Sequence, residues 1–266
     1  MPRISHRISP AAPACGVHEE LQSGHRPVVR IGDTVRRPVE WWTAAVHDLL
    51  AHLQSVDFPY SPRPLGIDDE GREVLSYIDG ESGRAMRRAI TTDDGLRAYA
   101  RLLREYHDAV AGYAPPADTE WAFGRHPLAP GEIVCHGDFG SWNLVWDGLR
   151  LVGILDWDLA FPGPPLDDVT YALIYSVPFR SDADALEHFG FTEPPDRPHR
   201  IEVFADAYGI DTDGLVDAVI ARQHRYALDI KYLARRGLHV QWTDEVSQAA
   251  NHRAAQWSQD HRELFI

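Results

Sequence analysis

The 266-residue sequence predicts an α+β fold in two parts, a small β-rich lobe followed by a larger, mostly helical one. Three observations predict it. Short β-prone runs separated by turn residues surround a single helical stretch near the N-terminus. From Thr92 onward, apolar residues recur at helical spacing. Between the helices, a short β region frames a loop dense in polar residues.

Residues 1–18 read as a loose tail, rich in Pro and Ala and without the apolar core of a secretory signal. The small lobe is expected over residues 19–79. Pro27 to Ile31 and Thr34 to Arg37 form a hairpin about Gly32, and Pro38 stops the second strand. A helix over Trp41 to Val56 carries the stripe Val46, Leu49, Leu50 and Leu53. A second hairpin follows, Arg63 to Ile67 and Glu73 to Ile78, about an Asp68-Asp69-Glu70-Gly71 turn. The larger lobe is expected over residues 80–266. Thr92 is the N-cap of a helix whose buried face is Leu96, Tyr99, Leu103, Tyr106 and Val110. Ile133-Val134, Leu144 to Trp146 and Leu151 to Leu155 supply the central strands, the last two joined at Asp147-Gly148. After Pro165 the pattern returns to helices, punctuated by Gly190, Gly209 and Gly237.

Composition excludes several function classes. A net charge of −14, from 26 basic and 40 acidic residues, argues against a nucleic-acid partner, which needs a basic face. It suits a cationic small molecule, or simply a solvated acidic surface. No apolar run approaches the roughly 20 residues of a membrane helix. The two cysteines, Cys15 and Cys135, make no disulfide framework and read as free thiols in a reducing cytoplasm. The 14 histidines are scattered, with none at metal-ligand spacing beside a cysteine.

The chemistry is concentrated in His136-Gly137-Asp138-Phe139-Gly140-Ser141-Trp142-Asn143, with Ile154-Leu155-Asp156-Trp157-Asp158 after it. Phosphoryl transfer needs a carboxylate to orient the attacking hydroxyl and accept its proton, and oxygen ligands that hold Mg²⁺ on the phosphates. Asp138 and Asn143 lie on one loop, Asp156 ends an apolar strand, and the intervening hairpin returns Asp156 beside Asn143. Taken singly, Asp and Asn simply favour loops, and His136 alone reads as a core histidine.

Together the two segments resemble the aminoglycoside phosphotransferase and choline kinase family, relatives of protein kinases. The resemblance covers roughly residues 20–175 and implies a bilobal protein-kinase-like fold. It implies an O-phosphotransferase using ATP or GTP as co-substrate. Asp138 would be its catalytic carboxylate, Asn143 and Asp156 its Mg²⁺ ligands, and His136 a brace for the loop. Gly163 to Asp168 resembles the family's helix-opening segment, in which Asp168 would hold the loop's backbone; it also reads as a plain helix N-terminus. Asp158 reads equally as a second metal ligand, facing the same way as Asp156 on an extended segment, or as a hydrogen-bonding acid.

On the nucleotide side, Arg37 stands where the family has a strand lysine, inward by alternation with Val35, while Arg36 points outward. The helix glutamate that pairs with that lysine is missing: its expected positions hold Val46 and His47, with Asp48 adjacent. The segment Leu21 to Arg26 contains a single glycine, Gly24, and reads either as a phosphate-covering loop or as an exposed turn. Leu75 to Gly80 resembles the hinge, where the Ser76 carbonyl and Ile78 N–H would meet adenine. The acceptor is expected among Asp211, Asp213, Asp217, Asp229 and Tyr232, as a hydroxyl-bearing molecule resembling a cationic aminoglycoside or a metabolite. Two other functions fit the same residues: a peptide Ser/Thr kinase, or a non-catalytic immunity protein of phosphotransferase ancestry.

Overall fold

A computed structural model of the chain describes residues 18–22, 26–238 and 245–266. It has a β-sheet N-terminal region and a helical C-terminal part. By contacts the chain divides into two units, Met1–Val39 with Leu65–Tyr77, and Glu40–Pro64 with Ile78–Ile266. The tail expected at residues 1–18 falls almost wholly outside the described residues.

The first unit is a sheet of β1 (His18–Gln22), β2 (Val28–Ile31), β3 (Thr34–Pro38), β4 (Pro64–Ile67) and β5 (Arg72–Ser76), in the order β1-β2-β3-β5-β4. The β2–β3 hairpin turns at Gly32, whose φ of +61° only glycine adopts readily. In the β4–β5 turn the Asp68 carboxylate accepts the N–H groups of Glu70 and Arg72 at 3.0 and 2.9 Å. Strand β3 runs antiparallel to β5 with Arg37 opposite Glu73 and Arg36 opposite Val74. Strand β1 adds to the expected elements: all five of its residues are exposed, so no apolar alternation marks it in the sequence.

The second unit begins with α1 (Thr43–Ser55), slightly shorter than expected, with Val46, Leu49, Leu50 and Leu53 buried. Helix α1 packs on α2 (Asp93–Val110), so it groups with the larger unit rather than with the sheet, as the expected boundary at residue 79 would have it. Thr92 caps α2, accepting the Gly95 N–H at 3.2 Å. Leu96, Tyr99, Leu103, Tyr106 and Val110 are all at most 1% exposed. Each such side chain contributes roughly 1.5–3 kcal/mol of burial. A 3₁₀ turn over Arg84–Thr91 precedes α2.

The β elements that follow are β6 (Glu120–Trp121), β7 (Gly124–Arg125), β8 (Ile133–Cys135), β9 (Leu144–Asp147), β10 (Arg150–Ile154) and β11 (Phe161–Gly163). Strands β9 and β10 form the expected hairpin, and β11 pairs with β8. Helices α3 (Leu166–Ser176), α4 (Asp182–His188), α5 (Arg197–Tyr208), α6 (Leu215–Arg235) and α7 (Glu245–Asp260) complete the unit. Two tyrosines of α2 reach the polar loop's frame. The Tyr106 hydroxyl donates to the Val134 carbonyl at 2.7 Å, and the Tyr99 hydroxyl donates to the Phe139 carbonyl. No helix among the described residues is long and apolar enough to cross a membrane.

Candidate active site

The loop between β8 and β9 is held from behind by Asp168, in the first turn of α3. Its carboxylate accepts the backbone N–H groups of His136 at 2.7 Å and Gly137 at 2.9 Å, and faces His107 Nε2 at 3.2 Å. The Tyr208 hydroxyl lies 2.7 Å from the other nitrogen of His107. Burial alone would raise the Asp168 pKa, but hydrogen bonds from His107 and the loop backbone hold it below the usual carboxylate range. Gly137 takes φ +80°, and a Cβ there would lie 2.0 Å from the Leu159 carbonyl oxygen, so no other residue fits.

His136 is fully buried and bonded on both ring nitrogens. Nδ1 accepts the Asp138 N–H at 3.2 Å, which leaves Nε2 to donate to the Leu155 carbonyl at 3.0 Å. Burial pushes its pKa down to about 4, so it is a neutral brace between the loop and the segment that carries Asp156.

Both oxygens of Asp138 are engaged. Oδ1 accepts the Tyr171 hydroxyl, and Oδ2 accepts Asn143 Nδ2 at 2.8 Å. The same amide nitrogen donates to the Asp138 carbonyl at 2.9 Å. The Asn143 amide is therefore oriented with nitrogen toward Asp138, leaving its oxygen as the atom able to bind a cation. The Leu155 N–H donates to the Asn143 carbonyl at 2.7 Å, which brings Asp156 next to Asn143. Asp156 is exposed and takes a left-handed conformation with φ +59° and ψ +66°, an uncommon one for a residue with a side chain.

Asp138 keeps partial solvent exposure, yet its carboxyl is closely surrounded by protein atoms. That enclosure, with the negative charge of Asp156, pushes its pKa up to about 7, against opposing hydrogen bonds from Tyr171, Asn143 and Trp142. The charge of Asp156 acts on Asp138, and a divalent cation held near the Asn143 amide oxygen would relieve that repulsion. No group of three or more His, Cys, Asp or Glu able to hold a metal occurs among the described residues. A short donor set of this kind fits Mg²⁺, which retains water and phosphate ligands rather than an all-protein cage.

The remaining expected residues are distributed as follows. Asp158 does not continue an extended segment beside Asp156. The left-handed Asp156 turns the chain into a 3₁₀ turn over Trp157–Leu159, and Asp158 is 4% exposed where Asp156 is open. That corrects the shared-face reading. Ser76 ends β5, and the Ile78 side chain lies against Gly153 of β10. Gly24 lies outside the described residues. Asp217 pairs with Arg262 at 2.6 Å, Asp229 pairs with Arg222 at 2.9 Å, and the Tyr232 hydroxyl donates to the Phe123 carbonyl at 3.1 Å. Asp211 accepts the Asp213 N–H in an exposed turn.

Residues that the sequence does not single out complete the site. Tyr171 on α3 binds Asp138, and His107 on α2 backs Asp168. In the sheet, Arg37 Nε donates to the carboxylate of Glu73 across the β3–β5 pair. Asp48, the acid nearest the missing helix glutamate, instead accepts the Tyr113 hydroxyl at 2.6 Å. Glu73 is 1% exposed, so removing its arginine is expected to cost about 3–5 kcal/mol. Arg36 pairs with Asp68 at 3.3 Å, and that pair is more exposed. Denaturant titration should therefore rank Arg37→Ala well below Arg37→Lys, and Arg36→Ala within about 1 kcal/mol of wild type. Equal losses for the two alanine variants would refute the pairing.

A model of the "Phosphotransferase enzyme family" matches residues 122–213, a span that contains Asp138, Asn143, Asp156, Asp168 and Tyr171. The trifolitoxin immunity protein of Rhizobium leguminosarum bv. trifolii is 31% identical over 205 residues, covering 74% of this chain and 77% of that protein. Among solved structures, the ethanolamine kinase of Plasmodium vivax superposes with a TM-score of 0.60 at 10% identity, covering 91% of this chain and 82% of its own. An aminoglycoside 2′-phosphotransferase solved with GDP superposes at 0.58 with 14% identity, covering 94% of each chain. At these identities the structural matches speak for a shared protein-kinase-like fold. The chain belongs to the phosphotransferase enzyme family.

Proposed function

We propose that the chain is a Mg²⁺-dependent O-phosphotransferase that moves the γ-phosphoryl of ATP or GTP onto a hydroxyl of a small molecule. The observations that support this reading are the Asn143 bond to Asp138 on one backbone-braced loop and the Leu155–Asn143 backbone bond that brings Asp156 beside that loop. Asp138 orients the acceptor hydroxyl and takes its proton as the new O–P bond forms. The bond from the γ-phosphorus to the bridging oxygen breaks, and the nucleoside diphosphate leaves. Asn143 Oδ1 and the Asp156 carboxylate are the cation ligands, and bound Mg²⁺ would neutralise charge on the phosphates. Asp168 and His136 are positioning residues, since they hold the loop's backbone. Asp158, buried beneath the loop, is assigned a supporting role. For the nucleotide, Arg37 is the proposed triphosphate cation, and the Ser76 carbonyl and Ile78 N–H are the proposed base partners. A cytoplasmic location fits this chemistry, because that is where nucleoside triphosphates and reduced thiols occur.

The experiment is ATP titration by calorimetry with and without Mg²⁺. Wild type should bind more tightly with the metal, and Asp156→Ala should lose that enhancement. An unchanged enhancement in Asp156→Ala would remove it from the ligand set.

A second reading has its own observation, the 31% identity to an immunity protein. Under it the chain binds a toxin peptide and the phosphotransferase residues are inherited rather than used. ATP binding without any turnover, together with protection by Asp138→Ala equal to wild type, would favour it.

A further inference from the structure

Around Asp138 the larger unit builds an aromatic wall backed by arginines. Tyr171, bonded to Asp138, packs on Tyr175 with ring centroids 5.1 Å apart. Trp142 meets Tyr175 edge-on at 4.8 Å, and Tyr175 stacks on Phe189 at 6.1 Å. The Arg180 guanidinium lies 4.3 Å from the Phe189 centroid and 5.3 Å from that of Tyr175. Arg87 lies 5.1 Å from the Trp142 centroid and 5.2 Å from that of Phe189. Arg87 thus lies over Trp142, which bonds to Asp138, and Arg180 lies over Tyr175, one ring from Tyr171.

Their neutralisation is incomplete. Elsewhere in this unit Arg222 pairs with Asp229 at 2.9 Å and Arg197 with Asp182 at 2.8 Å, while buried Arg200 is held by the carbonyls of Ser176, Ile90 and Thr91. Among the described residues, neither Arg180, Arg87 nor the nearby exposed Arg84 has a carboxylate within ion-pair distance. The Nε atoms of Arg87 and Arg180 are both buried without a hydrogen-bond partner. Arg87 donates to the His188 carbonyl at 2.7 Å, and Asp184, the acid that acts on Arg180, is bonded to Ser181. Burial, then the charges of Arg84 and Arg180, lower the Arg87 pKa. Such a cluster is unexpected in a chain with 40 acidic and 26 basic residues.

We propose that the acceptor carries an anionic group, a carboxylate or a phosphate, which Arg87 and Arg180 receive while its hydroxyl faces Asp138. The aromatic wall holds the body of the molecule between them, and exposed Arg84 draws the anion in. This rests on the phosphotransferase reading for the role of Asp138, and it replaces the cationic acceptor expected from net charge.

The test is calorimetric binding of matched hydroxyl compounds in the presence of Mg²⁺ and a non-hydrolysable ATP analogue. The probes are 3-phenyllactate with its neutral amide, glycerol 3-phosphate with glycerol, and cationic phenylalaninol. At least one anion should bind tenfold or more tightly than its neutral partner, with phenylalaninol weakest. Arg180→Gln and Arg87→Gln should each reduce that preference at least fivefold. Arg84→Gln, at an exposed site that does not endanger folding, should reduce it about threefold. Equal binding of every anion and its partner, tightest binding of phenylalaninol, or a preference untouched by Arg84→Gln and Arg87→Gln would overturn the proposal. Binding is read without turnover. Anion preference without phosphoryl transfer would therefore count against the catalytic reading alone, and transfer to neutral or cationic acceptors against this inference alone.

Discussion

Asp138→Ala is expected to lower phosphoryl transfer by about 10²- to 10⁴-fold while ATP affinity stays within about threefold of wild type. The carboxylate acts on the acceptor hydroxyl, so its loss removes the group that orients the nucleophile and receives its proton. It does not remove the cation ligands assigned to Asn143 and Asp156. Tyr171→Phe should have a smaller effect, because it frees Oδ1 of Asp138 without removing the carboxylate. Steady-state turnover paired with calorimetric ATP binding separates the two parameters. An Asp138→Ala protein with wild-type turnover would end the assignment, and a parallel collapse of ATP affinity would show that the residue organises the nucleotide instead.

Asp168→Ala is expected to cost about 3–5 kcal/mol of stability, as large a loss as that expected for Arg37→Ala. The substitution leaves the N–H groups of His136 and Gly137 facing a cavity and removes the partner of His107. Each buried donor left unsatisfied costs about 1–3 kcal/mol, and the three share one site, so the losses do not simply add. Asp168→Asn should be milder, since its oxygen retains one or two of the bonds while its amide confronts a donor. The pH dependence has a definite sign. The folded-state pKa of Asp168 is lowered, so its contribution is present above the unfolded value of about 4 and is lost as pH falls through the lower folded value. Urea denaturation between about pH 2 and pH 7 should show wild type losing its advantage over Asp168→Ala at the acid end. A constant difference across that range would mean that the aspartate stabilises only as a shape.

The site is legible in the sequence where its chemistry is local. Asp138 and Asn143 sit five residues apart on one loop, and the β9–β10 hairpin that returns Asp156 is marked by its Asp147-Gly148 turn. What lies beyond the sequence depends on tertiary approach. Tyr171 reaches Asp138 from 33 residues away, and His107 reaches Asp168 across 61. A tyrosine on an apolar helix face reads as core until its hydroxyl partner is known. The carboxylate partner of Arg37 is expected on the following helix, whereas Glu73 supplies it from a paired strand. Finding it requires the β3–β5 register, which neither strand specifies alone. Alternation along β3 puts Arg37 on the face of Glu73 and Arg36 on that of Val74, and both arginines are part-buried. Asp158 departs from expectation because an apolar strand ending in Asp-Trp-Asp gives no sign of the left-handed turn at Asp156. The 3₁₀ turn carrying Arg84 and Arg87 spans too few residues to show a period, so the arginine cluster becomes visible only through its packing on Trp142 and Phe189.

The central claim is that the Asp138 loop turns over a nucleoside triphosphate, and water can stand in for the acceptor. The most direct measurement is release of inorganic phosphate from γ-labelled ATP by the purified full chain, with Mg²⁺ or with EDTA. The account predicts slow, Mg²⁺-dependent release by wild type that falls to background in Asp138→Ala. Release at the same background rate by both proteins, at ATP concentrations that saturate binding, would contradict it.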